Sequence, residues 1–437
     1  MIKKYSSLLL FLILSLALYS QEKGEYYDYR SAFVNRGNTV AVSIQCAFDN
    51  ERPTDGCEVI PDSIDLLYNL QYLSVTETRI RSLPASINRL KRLKSLYIGA
   101  NRRINYETEL CKLAGIDSLE HLSLWMANIQ RLPGCIGNIR MLKSIDLSFN
   151  DKLDLAKNIA VLSGLGKLES LDISGIRATS LPGTIVNLRG LKEIGLGYTR
   201  DFNYKQAFAL LSKTGIEKIR LRNSGLSQLP ANLILLKKLK SIDLDDNWFD
   251  SIPGPLASMK NMEEIRFSGN NAEYRLQPGI VQLKKLRVLD ISHSWKTDTY
   301  ATLQVLARLE SLEELYLSNC RISRLPEEVS RFPKLKKLGF ADNPGTGFSE
   351  LFIKLSHIAS LEEIDLSYNR LTDLPEEVAL CRNLQHLNLS RNKLTVLPAA
   401  VYRMKQLRTL DLSGNLFTKE ELEKIRAGLP GCTVRVQ

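Results

Sequence analysis

The sequence predicts an α/β solenoid: a parallel, concave sheet with one short strand per coil, backed by outer walls that alternate between a short helix and an extended Leu-Pro segment. Two observations carry this. An apolar skeleton starts fifteen times, at Leu70, Leu93, Leu119, Leu142, Leu168, Leu191, Ile216, Leu239, Met262, Leu286, Leu312, Leu335, Leu361, Leu384 and Leu407, at intervals of 23 to 26 residues. Within each copy the residues three and five places after the start are apolar and alternate with polar ones, as in a strand with one buried side. Self-similarity at such a period marks a stacked array, which grows in one dimension without the size limit of a compact domain.

The first element is a leader. Residues 1–20 join Lys3 and Lys4 to the apolar run Leu8–Leu18, which is short for a membrane span and reads as a signal peptide. This predicts a secreted, periplasmic or cell-surface protein with no integral membrane segment once the signal is removed. The formal charge of +11 falls to about +9 without those two lysines. Export argues against a nucleic-acid partner for that positive charge.

Residues 21–69 form an irregular N-terminal cap, with a short helix, a strand near Val40–Ile44 and a loop flanked by Cys46 and Cys57. In an exported chain those two cysteines are candidates for a disulfide. The array runs from 70 to 415. Residues 416–437 read as an amphipathic helix and a last strand that close the open end, as terminal coils require.

The copies "LEEIDLSYNRL", "LQHLNLSRNKL" and "LEELYLSNCRI" follow the pattern L-x-x-L-x-L-x-x-N/C-x-L. The chain therefore resembles the leucine-rich-repeat family, over roughly residues 60–418, and the resemblance implies a right-handed horseshoe. Its export signal is similar to that of bacterial exported repeat proteins. Its Leu-Pro coils resemble the Ras-suppressor and plant disease-resistance type. The resemblance implies binding of other proteins, without naming one.

Asn stands eight places after the start in several coils, including Asn101, Asn150, Asn247, Asn270, Asn343, Asn369, Asn392 and Asn415. A stacked Asn column supplies hydrogen-bond partners to backbone inside a bend, so these residues read as structural rather than as ligand sites. The second half of each coil takes two forms, short with Leu-Pro ("SLPASINRL", "RLPEEVSRF") or longer and helical ("ATLQVLARLESL"), and the forms mostly alternate. The unit is a pair of coils of about 49 residues. The residue after each start alternates in sign over twelve coils, from Lys94 and Glu120 to Lys336 and Glu362. On strands about 4.8 Å apart this predicts a ladder of cross-strand ion pairs.

Nothing in the sequence points to an enzyme, a metal or a cofactor. His121, His293, His357 and His386 are scattered without ligand spacing. Cys320, Cys381 and Cys432 occupy core-like slots. Cys111 and Cys135 lie at nearly matching outer positions and read as packed free thiols in preference to a second disulfide. The chemistry is expected to lie on a surface. Positions two, four, six and seven after the early starts hold Tyr72, Tyr97, Trp125, Met126 and Phe149, an aromatic patch that serves as a partner-binding site or packs on the cap. Further along, the face is charged, with Arg220, Arg222, Asp243, Asp245 and Arg266 as a second candidate. The expected ligand is a protein; a glycan stacked on the aromatic residues, or a structural surface role, is the alternative.

Overall fold

A computed structural model describes residues 24–44, 57–270, 278–296 and 298–436. The chain divides into two compact units, one of residues 1–203 with 213–215, the other of residues 204–212 with 216–437.

The first unit opens with a strand at Glu25–Tyr26 and a helix at Tyr29–Val34, whose start is capped by the Asp28 carboxylate accepting from Ser31 N at 2.7 Å. The strands Ala41–Ile44, Tyr72–Val75, Ser95–Tyr97, His121–Ser123, Ser144–Asp146, Ser170–Asp172 and Glu193–Gly195 follow. Each pairs in parallel with the one before it. The second unit repeats the scheme from Lys218–Arg220 to Thr433–Arg435. Its end is closed by the expected helix, Lys419–Gly428. Thr418 caps that helix by accepting from Glu421 N. The architecture is the α/β leucine-rich solenoid anticipated from the skeleton.

The core consists of the apolar residues of the skeleton, such as Leu70, Leu73 and Val75 or Leu239, Ile242 and Leu244, all fully buried. The Asn column behaves as expected. Asn150 donates from Nδ2 to Leu124 O at 3.0 Å and Leu147 O at 2.9 Å, and its Oδ1 accepts from Ile129 N at 2.8 Å. Asn343 accepts from Cys320 N and Ile322 N and donates to Leu317 O. Each Asn thus ties its own bend to that of the preceding coil. In two coils where the slot is not Asn, a small hydroxyl replaces part of the function: Thr199 Oγ1 donates to Leu196 O and Ser294 Oγ to Ile291 O.

One place before this slot, the seventh residue of each of the fifteen coils has a left-handed backbone. Three are glycines (Gly175, Gly269, Gly414); the others include Met126 (φ 50), Phe149 (φ 56), Tyr198 (φ 55) and Tyr368 (φ 59). A side chain there costs roughly 1–2 kcal/mol over glycine. The bend is therefore imposed by the stack rather than by local preference.

The outer walls alternate as anticipated. Helices begin at Tyr106, Leu155 and Tyr204, and again at Thr299 and Phe348, each set in steps of 49 residues. In the Leu-Pro coils the proline is extended, as expected (Pro84 φ −64, ψ 149). The segment after it then winds into a 3-10 helix, Ala85–Arg89 in that coil and Gly134–Asn138 and Glu376–Leu380 in others. The proline stands just before each of these helices, where its fixed extended backbone and missing donor fit the entry to the turn.

The helical walls brace the Leu-Pro walls that precede them. Leu83 N donates to Glu109 Oε2 at 2.6 Å, and Lys112 Nζ donates to Leu83 O. Leu132 N donates to Asn158 Oδ1. Lys354 Nζ donates to Leu325 O and pairs with Glu327 and Glu350. The residue before each of these prolines cannot use a helical partner, and a side chain from the next coil takes that role. In these three places the bracing couples two successive coils.

Cys111 and Cys135 form a disulfide, with Cα atoms 5.4 Å apart across neighbouring walls; the expectation of free thiols is corrected, because the two walls bring these positions within bridging range. Cys57 is disulfide-bonded; Cys46, its expected partner, lies outside the described residues, as does the signal segment 1–20. Cys320 and Cys381 are buried free thiols.

The charge ladder is present. Lys143 pairs with Glu120 and Lys192 with Glu169, each at 2.8 Å, in the first unit. In the second, Lys240 pairs with Glu217 at 2.8 Å, and Glu313 accepts from both Arg287 and Lys336. The Glu217 carboxylate raises the Lys240 ammonium pKa, and Glu263 adds to the effect. Lys240→Glu is expected to lower the urea midpoint more than Lys240→Gln, with the gap narrowing at high salt. Equal midpoints for the two variants would show that the pairing contributes nothing.

Candidate functional site

In the first unit the strand face carries an aromatic strip. Tyr72 and Tyr97 stand on adjacent strands, half-buried, with ring centroids 5.1 Å apart. Burial and the neighbouring Tyr97 push the Tyr72 phenol up to about 12. Beside them opens a cleft of about 320 Å³, lined by Tyr26, Tyr27, Val40, Tyr72, Gln71 and Lys94 among others. Tyr27 is 54% exposed. The cleft offers apolar ring surface, one amide, one ammonium (Lys94), one carboxylate (Glu25) and the hydroxyls of Ser43 and Ser95.

Trp125 corrects the expectation placed on it. It is only 6% exposed, and its indole N–H is buried without a hydrogen-bond partner among the described residues. Gly99 on the preceding coil makes the close approach possible: a Cβ there would meet Trp125 O at 2.4 Å and the indole Cδ1 at 2.6 Å. Phe149 approaches Gly175 in the same way, where a Cβ would come within 2.5 Å of its ring. Phe149 stacks on Tyr198 at 5.2 Å. Met126 is half-buried at the left-handed position. The early aromatic residues thus form two groups: Tyr72 and Tyr97 by the cleft, and Phe149 and Tyr198 at the bend. Tyr198 was not singled out in the sequence; its seventh-place position was the available signal.

In the same row of the strand face as Tyr97, Asp146 and Asp172 are direct cross-strand partners. Burial, then Asp172, pushes the Asp146 carboxyl up to about 6, against hydrogen bonds from Ser148 and Ser123.

The second candidate, in the second unit, is largely self-satisfied. Arg220, Asp243, Arg266 and Asp290 face one another on successive strands. Arg222 pairs with Asp246 at 2.7 Å and lies 3.8 Å from Asp245, while Arg266 pairs with Glu264 at 2.7 Å. Asp243 Oδ1 accepts from Asp245 N, and Asp245 Oδ1 from Ser268 N. Burial, then Asp243 and Asp290, pushes the Asp245 carboxyl up to about 8. No group of three or more potential metal ligands occurs among the described residues.

Profiles of the leucine-rich repeat match residues 311–332 and 359–417, and a profile of the leucine-rich repeat region matches residues 53–172. The chain is a leucine-rich-repeat protein. The repeat protein is 26% identical to a solved leucine-rich-repeat protein of Leptospira interrogans, with a TM-score of 0.51 over 94% of this chain and 100% of that one. It is 27% identical to vasorin of Mus musculus over 31% of this chain and 17% of vasorin. It is 32% identical to the CD180 antigen of Mus musculus over 29% of this chain and 20% of that protein. The third relative is the volume-regulated anion channel subunit LRRC8A of Homo sapiens, 27% identical over 30% of this chain and 19% of the subunit. The matched part spans about a fifth of each of these curated relatives. Among the described residues, no helix of the repeat protein is long and apolar enough to cross a membrane.

Two expectations follow. Trp125→Ala is expected to cost about 3–5 kcal/mol of stability, on the scale of a core change such as Leu124→Ala, because the indole fills a slot over Gly99; denaturant unfolding of both variants tests this, and an unaffected Trp125→Ala would place the ring outside the packing. Asp245 holds its proton more tightly in the folded than in the unfolded chain. Its contribution is therefore fully present below the ordinary carboxyl range and is lost as pH rises through about 8. The unfolding midpoint is expected to fall between pH of about 5 and about 8, and to fall less in Asp245→Asn. Identical pH profiles would assign the sensitivity to another group.

Proposed function

We propose that this repeat protein is an exported, non-enzymatic scaffold that takes a protein partner on the strand face of its first unit. Repeat arrays of this family are typically protein-interaction scaffolds. The observation that carries the reading is the Tyr72–Tyr97 pair beside its cleft, a partly exposed aromatic group of the kind that dominates binding energy when a partner buries it. The disulfide between Cys111 and Cys135 supports export, since such bonds persist in oxidising compartments. Tyr72 and Tyr97 are the anchors. Met126 and Phe149 contribute at most to the contact border, Trp125 supports the fold, and the charged residues Arg220, Arg222, Asp243, Asp245 and Arg266 of the second unit are not needed for this contact.

Capture of partners from cell-envelope and host extracts, followed by binding assays with the purified partner, tests this. Tyr72→Ala and Tyr97→Ala are each expected to weaken binding by about 2 kcal/mol or more with unchanged melting. Binding should persist when soluble oligosaccharides are added. Competition by a sugar would favour the glycan alternative on the same tyrosines, and wild-type affinity in both variants would remove this face from consideration.

A further inference from the structure

The second unit carries another surface, at the bends that follow its strands. Arg321 lies with its guanidinium 4.8 Å from the centre of the Trp295 ring, and Lys296 Nζ lies 4.9 Å from the same ring. Arg324 stacks on Tyr300 at 4.8 Å, and Arg391 on Tyr368 at 5.4 Å. Arg370 and Lys393 occupy the ninth place of their coils, as Arg321 does. All six cations are exposed, and none forms an ion pair with a carboxylate among the described residues. On the ladder and the strand face of the unit, by contrast, Lys240, Arg287, Lys336, Arg222 and Arg266 pair with carboxylates; what sets the cations of this edge apart from other exposed cations is that rings lie against four of them. Three acidic residues share these bends. Asp298 caps a helix by accepting from Ala301 N, Asp373 accepts from Thr372, and Asp342 is exposed.

We propose that this edge, from Trp295 to Lys393, binds an acidic polysaccharide bearing carboxylate or sulfate groups on successive sugars. A guanidinium laid on a ring is held extended and keeps its N–H edge free for an oxyanion, so it is pre-organised for a forked contact. Four of the five coils along this edge carry such cations at spacings set by the stack, while the coil starting at Leu335 places the exposed Asp342 there instead; two basic clusters flanking one acidic step suit a polymer whose charges are spaced along its length. The partly exposed rings of Trp295 (39%) and Tyr368 (51%) add apolar surface for sugar C–H faces. A peptide added as a strand is disfavoured, because the backbone here is already engaged. Ile322 N donates to Asn343, Leu371 N to Asn392 and Leu394 N to Asn415. Recognition must run through side chains alone. This inference does not depend on the tyrosine face of the first unit.

The test is binding of the full chain to heparin and to polygalacturonate, with neutral dextran and a single-stranded oligonucleotide for comparison, followed over a range of salt. The combined Arg321→Gln, Arg370→Gln, Lys393→Gln variant is expected to lose roughly tenfold or more in affinity for at least one acidic polysaccharide, with unchanged melting. A control that neutralises three exposed lysines elsewhere in the unit (Lys237→Gln, Lys284→Gln, Lys334→Gln) should lose far less. Trp295→Ala should also weaken binding, since it removes the brace under Arg321. Equal losses in the two triple variants would reduce the effect to net charge and overturn the proposal. So would an oligonucleotide bound as tightly through the same residues, or no binding to either acidic polysaccharide.

Discussion

The bend after each strand is the constraint on which the other features depend. Its seventh residue takes a left-handed backbone and its eighth, usually Asn, ties the bend to the coil before it. Together they fix where each strand stops, and so which side chains face inward, outward or along the edge. The cost of placing Met126, Phe149, Tyr198 or Tyr368 in that conformation is borne by the stack, because every bend is hydrogen-bonded to a neighbour of the same shape. The same positions then project large side chains at regular intervals, and the surface inherits the periodicity of the backbone.

Charge follows from this geometry. Positions one place after the start meet their counterparts on the next strand, and alternation of sign turns that meeting into pairs such as Lys143–Glu120 and Arg287–Glu313. Exposed pairs of this kind contribute at most about 1 kcal/mol each. Their larger effect is to remove repulsion from a closely spaced row. The face positions Arg220, Asp243, Arg266 and Asp290 follow the same rule. A net positive charge of +11 therefore cannot be read as a uniformly basic surface; much of it is matched locally, and part of the surplus stands where rings rather than carboxylates support the cations.

The fold was legible in the sequence because its determinants are local and repeated: skeleton, Asn slot, Leu-Pro or helical wall, and alternating charge. The candidate site was legible only in part, because it depends on what one coil lacks relative to the next. Trp125 reads as an outward residue by register, and only Gly99, 26 residues earlier, shows that a slot exists for it. The Cys111–Cys135 bond depends on how closely two different walls approach, which spacing does not specify. The contacts of Glu109, Asn158 and Lys354 to backbone around Leu-Pro were hidden for a similar reason: three different residue types perform one task, so no single motif repeats. Tyr72 and Tyr97 were placed correctly beside each other because their register is that of the strands themselves.

That bracing also limits how such an array changes length. Removing one coil would place a Leu-Pro wall beside another wall without the side chain that serves its backbone, whereas removing two restores the match. Where helical walls recur every 49 residues, a pair of coils is the piece that can be gained or lost without leaving such a peptide group stranded; near the end of the array two Leu-Pro walls follow one another directly, and there Glu376 accepts from Ala399 N and Ala400 N. A binding surface built on the helical-walled stretch would grow or shrink across generations in double steps, each carrying its own matched charges.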